Sequence, residues 1–155
     1  MLLKDYISEE GIIFASSVSS KKRALELLSE ALAKQDSGLT KSKILNALLA
    51  REKLGCTGLG KGIAIPHCRM AEIKNTHVAM LKLNDGVEFE SSDGLAVKFL
   101  FCMVVPENAA DDQLRLLAGL AKLLDNDQVR QSIEKCYHAS CLYELLCQDP
   151  EDLAV

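Results

Sequence analysis

Residues 96–105 read AVKFLFCMVV and are followed by Pro106. Apart from Lys98 the run is continuously apolar, which is the pattern of a central β-strand covered on both faces. Pro106 lacks the N–H that a ladder needs and ends it. A strand hidden on both sides requires helices above and below its sheet. Downstream, the spacing of Leu114, Leu117, Leu120, Ala121 and Leu124 predicts a helix from about Asp111 to Leu124 with these residues on its inward face. Asp125 or Asn126 can cap the next helix and Ser140 a last one. Upstream, His77 to Leu83 reads as another strand, and a short apolar segment spans Gly11 to Ala15. Between those segments, Ser19 or Ser20 can cap a helix carrying Ala24, Leu25, Leu28 and Leu32, which ends by Asp36 to Gly38. Thr40 caps a second helix, with Ile44, Leu45 and Leu48 inward and Arg51 and Lys53 in its last turn. Helices and strands interleave, and some connections are too short for a helical crossover. The expected fold is therefore α/β, a mixed central β-sheet sandwiched by helices, as a single domain over residues 1–155.

Composition agrees with that class. The chain has 155 residues, 48% hydrophobic and 26% charged, enough to bury a core without a disulfide or metal staple. Eighteen Lys and Arg against 22 Asp and Glu give a net charge of −4. Such a surface offers no basic field to a nucleic-acid backbone or an anionic membrane, so neither is expected as a partner. The opening MLLKDYISEEG places Lys4, Asp5, Glu9 and Glu10 where a signal peptide needs unbroken apolar residues, and a cytoplasmic location is expected. None of the six cysteines forms a C-x-x-C pair. Cys102, Cys141 and Cys147 lie in apolar patterns and read as small buried hydrophobes.

The chemistry concentrates in Arg51–Arg69, REKLGCTGLGKGIAIPHCR. Gly55, Gly58, Gly60 and Gly62 suit a backbone that folds closely around something, and Ile63–Ile65 reads as a short strand stopped by Pro66. His67 emerges just past that strand end. Glycine-rich amides make anion-binding concavities, and a guanidinium matches two phosphate oxygens. The set suggests phosphoryl transfer through histidine, whose neutral imidazole is a nucleophile near pH 7. It is not a nucleotide-binding P-loop, because Gly60-Lys61 is followed by Gly62 rather than a hydroxyl residue. Cys56, His67 and Cys68 make an awkward tetrahedral set, since His67 and Cys68 are adjacent; no metal and no cofactor are expected.

The same nineteen residues, together with FLFCMVVP and the helix after it, resemble the enzyme IIA domains of the bacterial phosphotransferase system, of the fructose, mannitol and nitrogen-related type. The resemblance implies that His67 is the phosphorylated residue, receiving its group from the phosphocarrier HPr or its nitrogen-branch paralogue. It implies that Arg51 steadies the phosphoryl group, and that Gly55, Cys56, Thr57, Gly58 and Gly60 line the phosphate pocket. Two positions depart from the pattern. Cys56 stands where many relatives have Ser, and Gln113 where many have a second, supporting His.

Other readings of single residues stay open at this level. Arg51 and Lys53 also complement a helix C-terminus, Thr57 also serves a turn, and His77 and His138 read as structural or solvated. Functionally, a nitrogen-related regulatory enzyme IIA, a sugar-specific enzyme IIA that passes phosphate to a IIB domain, and a binding module switched by phosphorylation are the alternatives. The missing second His leans toward regulation.

Overall fold

In the computed structural model, which describes residues 3–148, the apolar run becomes the strand β6, Val97–Pro106. The other strands are β1 (Ile7–Ala15), β2 (Gly58–Gly60), β3 (Ile63–Ala64), β4 (His67–Met70) and β5 (His77–Val87). The helices are α1 (Lys21–Ala33), α2 (Lys41–Leu54), α3 (Ala110–Leu124), α4 (Asp127–Glu134) and α5 (Ala139–Leu146). Strands run in the order β1-β5-β6-β3-β2, with β4 also on β6. The sheet is mixed, as expected: β1 is parallel to β5, β3 and β4 are parallel to β6, and β5 is antiparallel to β6.

Alternation along β6 explains why its sequence is apolar almost throughout. Leu100, Cys102 and Val104 enter a core shared with α1 and α2, while Phe99, Phe101 and Met103 enter a second core under α3, α4 and α5. Ser20, Thr40 and Asn126 cap α1, α2 and α4 through their side chains. One buried cation joins sheet to helix: Lys82 of β5 donates to the carbonyls of Glu134 and Cys136 at the end of α4, at 2.8 and 2.5 Å. This places positive charge at a helix C-terminus.

Several local expectations are corrected. Leu114 is 63% exposed, because the buried stripe of α3 runs through Gln113, Leu116, Leu120 and Leu124, one position out of phase with it. His138, not Ser140, is the N-cap of α5, and it makes no side-chain capping bond. Cys141 is exposed and forms a disulfide with Cys136 across the α4–α5 connection, so it is not a buried hydrophobe. Cys147 is only half-buried at the end of α5, whereas Cys102 is fully buried. His77 is structural: its Nε2 lies 3.0 Å from Asp36 Oδ2. No described helix is long and apolar enough to cross a membrane.

Candidate phosphoryl-transfer site

Strand β3 ends at Ala64, and the chain breaks ladder at Ile65–Pro66 before resuming beside β6 as β4. Pro66 forces this interruption, since it has no N–H to donate, yet its carbonyl still accepts from Met103 N–H at 3.0 Å. His67 is thus the first residue of a new strand rather than part of a free loop. Cys68 and Met70 of that strand point into the α1/α2 core, so His67 and Arg69 stand on the opposite, α3 side.

The interruption also fixes the imidazole. His67 Nδ1 lies 2.8 Å from the Ile65 carbonyl oxygen, which accepts only; Nδ1 therefore carries the proton and the Nε2 lone pair is free. Burial lowers the pKa of the ring below the usual histidine value, and the Arg51 and Arg69 cations lower it further, against opposing effects from the Ile65 hydrogen bond and Glu52. The neutral, nucleophilic form is the one favoured. Cys68 beside it is inert, because burial pushes its thiol up to about 12.

The loop between α2 and His67 is arranged differently from the sequence expectation. Glu52, in the last turn of α2, folds its carboxylate into the loop: Oε1 accepts from the Thr57 hydroxyl and Oε2 from the Thr57 N–H at 3.3 Å. Lys21 Nζ completes the set at 2.7 Å from Oε2. The anion in this nest is the protein's own carboxylate, and the Thr57 hydroxyl proton is committed to it. Gly55 N–H donates to the Glu52 carbonyl at 3.2 Å and Gly58 N–H to Cys56 Sγ at 3.2 Å, so these amides are engaged as well. The Cys56 thiol donates to the Phe89 carbonyl at 3.0 Å.

Gly60 lies elsewhere. It pairs with Ile63 in the β2–β3 hairpin, at the level of Phe99, whereas His67 pairs with Met103. Four residues of β6 separate the two levels, about 13 Å at the usual strand rise. Its positive φ of 84° serves the turn, and an added Cβ would meet Asp93 Oδ2 at 2.9 Å. Gly58 is close-packed too, against Ser91 Oγ, a buried hydroxyl with no partner among the described residues.

Arg51 Nη1 donates to the Gly55 carbonyl at 2.9 Å, which anchors its guanidinium at the loop mouth while leaving other N–H groups of the fork unassigned. Gln113 is buried, 7% exposed, and its Oε1 accepts from Arg69 Nε at 2.8 Å. The charges of Arg51, Glu52 and Arg69 all act on the His67 ring, and Arg69 is the one the motif reading does not single out. Its signal was its position two residues after His67, which in a strand means the same face. Among the described residues no cluster of three or more His, Cys, Asp or Glu side chains could hold a metal ion.

Comparison with known proteins supplies the family context. The family model described as "Phosphoenolpyruvate-dependent sugar phosphotransferase system, EIIA 2" matches residues 5–148. A nitrogen regulatory protein of Pseudomonas aeruginosa is 40% identical over 127 residues, 82% of each chain. Another, of Bradyrhizobium diazoefficiens, is 34% identical over 154 residues, 99% of this chain and 100% of the relative. Among solved structures, nitrogen regulatory protein IIA-Ntr from Neisseria meningitidis superposes with a TM-score of 0.87 at 34% identity, covering 93% of this chain and 98% of that one.

Proposed function

Because the chain belongs to the EIIA 2 family of the phosphoenolpyruvate-dependent sugar phosphotransferase system, we propose that it carries a phosphoryl group on His67. The donor is HPr or its nitrogen-branch paralogue, and the role is that of a nitrogen-related regulatory enzyme IIA, with residues 1–155 acting as one functional unit. The observation that carries this reading is the hydrogen bond of 2.8 Å between His67 Nδ1 and the Ile65 carbonyl. It dedicates Nε2 to attack.

In the forward step the Nε2 lone pair of neutral His67 attacks the phosphorus of the donor phosphohistidine. The P–N bond of the donor breaks, and its imidazole leaves with the electron pair. His67 becomes a phosphoimidazolium whose Nδ1–H is held by the Ile65 carbonyl, so no proton has to move. The same bond keeps the ring cationic while phosphorylated, which makes it a good leaving group for the reverse or onward step. Arg51 offers N–H donors to the equatorial oxygens, worth most where charge is concentrated in the transition state. Thr57, Gly55, Cys56 and Gly58 act by holding the loop in shape around Glu52 rather than by donating to phosphate.

The regulatory assignment over sugar relay is supported by the nitrogen regulatory relatives at 40% and 34% identity, and by Gln113 at the position where a second imidazole was expected. Incubation with phosphoenolpyruvate, enzyme I and HPr should add one acid-labile, base-stable phosphate, absent from His67→Ala. Equal labelling of parent and His67→Ala would overturn the carrier reading. Transfer to a fructose or mannitol IIB domain at a rate matching uptake would overturn the regulatory one.

A further inference from the structure

Strand β4 carries two side chains on the α3 side of the sheet, His67 and Arg69. Arg69 is exposed at its own position, yet it is not loose. Its Nε donates to Oε1 of Gln113 at 2.8 Å, and Gln113 is itself buried on the inward stripe of α3. The choice of partner matters. A carboxylate at position 113 would orient the guanidinium and cancel its charge, whereas an amide oxygen orients it and leaves the charge intact. Tying an arginine through Nε also leaves the terminal Nη fork for something else. Among the described residues Arg69 has no acidic partner within salt-bridge distance, although the chain's other basic side chains on α4 and the β2–β3 turn, Arg130 and Lys61, are ion-paired.

The loop cannot supply this charge. Its Thr57 donors are taken by Glu52, and several of its amides are engaged internally. What remains around the imidazole are two guanidiniums, Arg51 from α2 and Arg69 from β4, with the carboxylate of Glu52 already committed to Thr57 and Lys21.

We propose that Arg69, held in place by Gln113, is the second phosphoryl-binding cation of the His67 site, and that Gln113 is its positioning residue. The proposal rests on the carrier reading for its chemistry and extends it to Arg69, the last residue of the Arg51–Arg69 stretch, and to Gln113 of α3. During transfer the Nη groups of Arg69 donate to an equatorial phosphoryl oxygen while the phosphorus passes from the donor nitrogen to Nε2; no bond to Arg69 forms or breaks and no proton leaves it. Gln113 contributes direction, not charge.

The test combines kinetics with a readout that a purely structural role would not move. Rates of phosphorylation by HPr are measured for the parent, Arg69→Gln, Arg69→Lys, Gln113→Ala and the double variant Arg69→Gln/Gln113→Ala. Loss of a charge-assisted hydrogen bond should slow Arg69→Gln by roughly 10- to 150-fold, with Arg69→Lys recovering part. Gln113→Ala should be slower than the parent, and should add little to Arg69→Gln, because the two act as one unit. NMR titration of the His67 ring should show its pKa rising in Arg69→Gln, since a neighbouring cation has been removed while Arg51 and Glu52 remain. Titration with inorganic phosphate, followed at the same ring, should show weaker binding by about tenfold.

Unchanged rate, ring pKa and phosphate affinity in Arg69→Gln would overturn the proposal, as would a full additional loss from Gln113→Ala in that background. A parent protein that accepts no label, but whose ring pKa and phosphate affinity still depend on Arg69, would overturn the carrier reading and leave the anion site standing.

Discussion

Glu52→Gln tests how the loop before His67 is built. The wild-type carboxylate accepts from both Thr57 donors and holds Lys21 Nζ at 2.7 Å, with 5% of its side chain exposed. The amide keeps one acceptor and turns the other end into an NH2 group, which faces either Lys21 or a Thr57 donor. One buried donor is then unpaired and the ion pair is lost. Hydrogen bonds to charged groups contribute about 1.5–3 kcal/mol, and breaking a buried ion pair costs about 3–5 kcal/mol. Lys21 retains 27% exposure, which moves the expectation to the lower end, about 3 kcal/mol. For a domain of this size that lowers Tm by about 6–12 °C. Urea unfolding followed by circular dichroism, with the slope checked for constancy, measures it. Thr57→Val should destabilise through the same bond, so the double variant should show a coupling of at least about 1 kcal/mol. The negative charge of Glu52 favours the protonated His67 ring, so its neutralisation should also lower the His67 pKa further. A stability change below about 0.5 kcal/mol with additive single variants would refute the claim that the carboxylate holds this loop.

Two further outcomes follow from the same geometry. Because burial holds the folded His67 pKa below the ordinary histidine value, the unfolded chain takes up the proton first as pH falls. The contribution of His67 to stability is therefore full above about pH 6.5 and is lost as pH drops toward the folded pKa; the labelling rate should likewise fall only below the ordinary histidine midpoint, and a profile centred at or above it would contradict the burial argument. Gly58→Ala should destabilise by about 1–2 kcal/mol because its Cβ would stand 2.4 Å from Ser91 Oγ. In a Ser91→Ala background, which removes an unpartnered buried hydroxyl, the same change should cost less by urea titration; an equal cost would place the strain elsewhere.

The class of fold was readable because it rests on hydrophobic period. AVKFLFCMVV has no polar side to show, so its strand had to be covered twice, and the two cores meeting at β6 follow. Thr40 was readable as a cap, and Ser20 and Asn126 as one of two candidates each, with Ser19 and Asp125 the alternatives, because these polar residues sit just ahead of apolar periodic runs. The loop was harder. Glycine content announces close approach but not of what, and here the approaching anion is Glu52, a residue inside the motif whose own side chain folds back to Thr57. Nor does sequence spacing alone tell a disulfide between Cys136 and Cys141 from two packed thiols.

The phase of α3 shows why the pairing of Gln113 with Arg69 is not legible in the sequence. Leucine outweighs glutamine on any hydropathy scale, so the eye draws the inward stripe through Leu114. Residues 113, 116, 120 and 124 share a face at about 100° per residue, and that is the buried face. The only polar member of this stripe is Gln113, and a buried amide needs a partner. The partner is Arg69, whose position follows from the strand period counted from His67. Gln113 is marked in the sequence only by the resemblance, as the place of a supporting His, and Arg69 reads alone as a solvated strand cation. Their hydrogen bond joins the inward stripe of one element to the face of β4 that also carries His67, where the Arg69 cation helps lower the pKa of an imidazole whose own proton is held by Ile65.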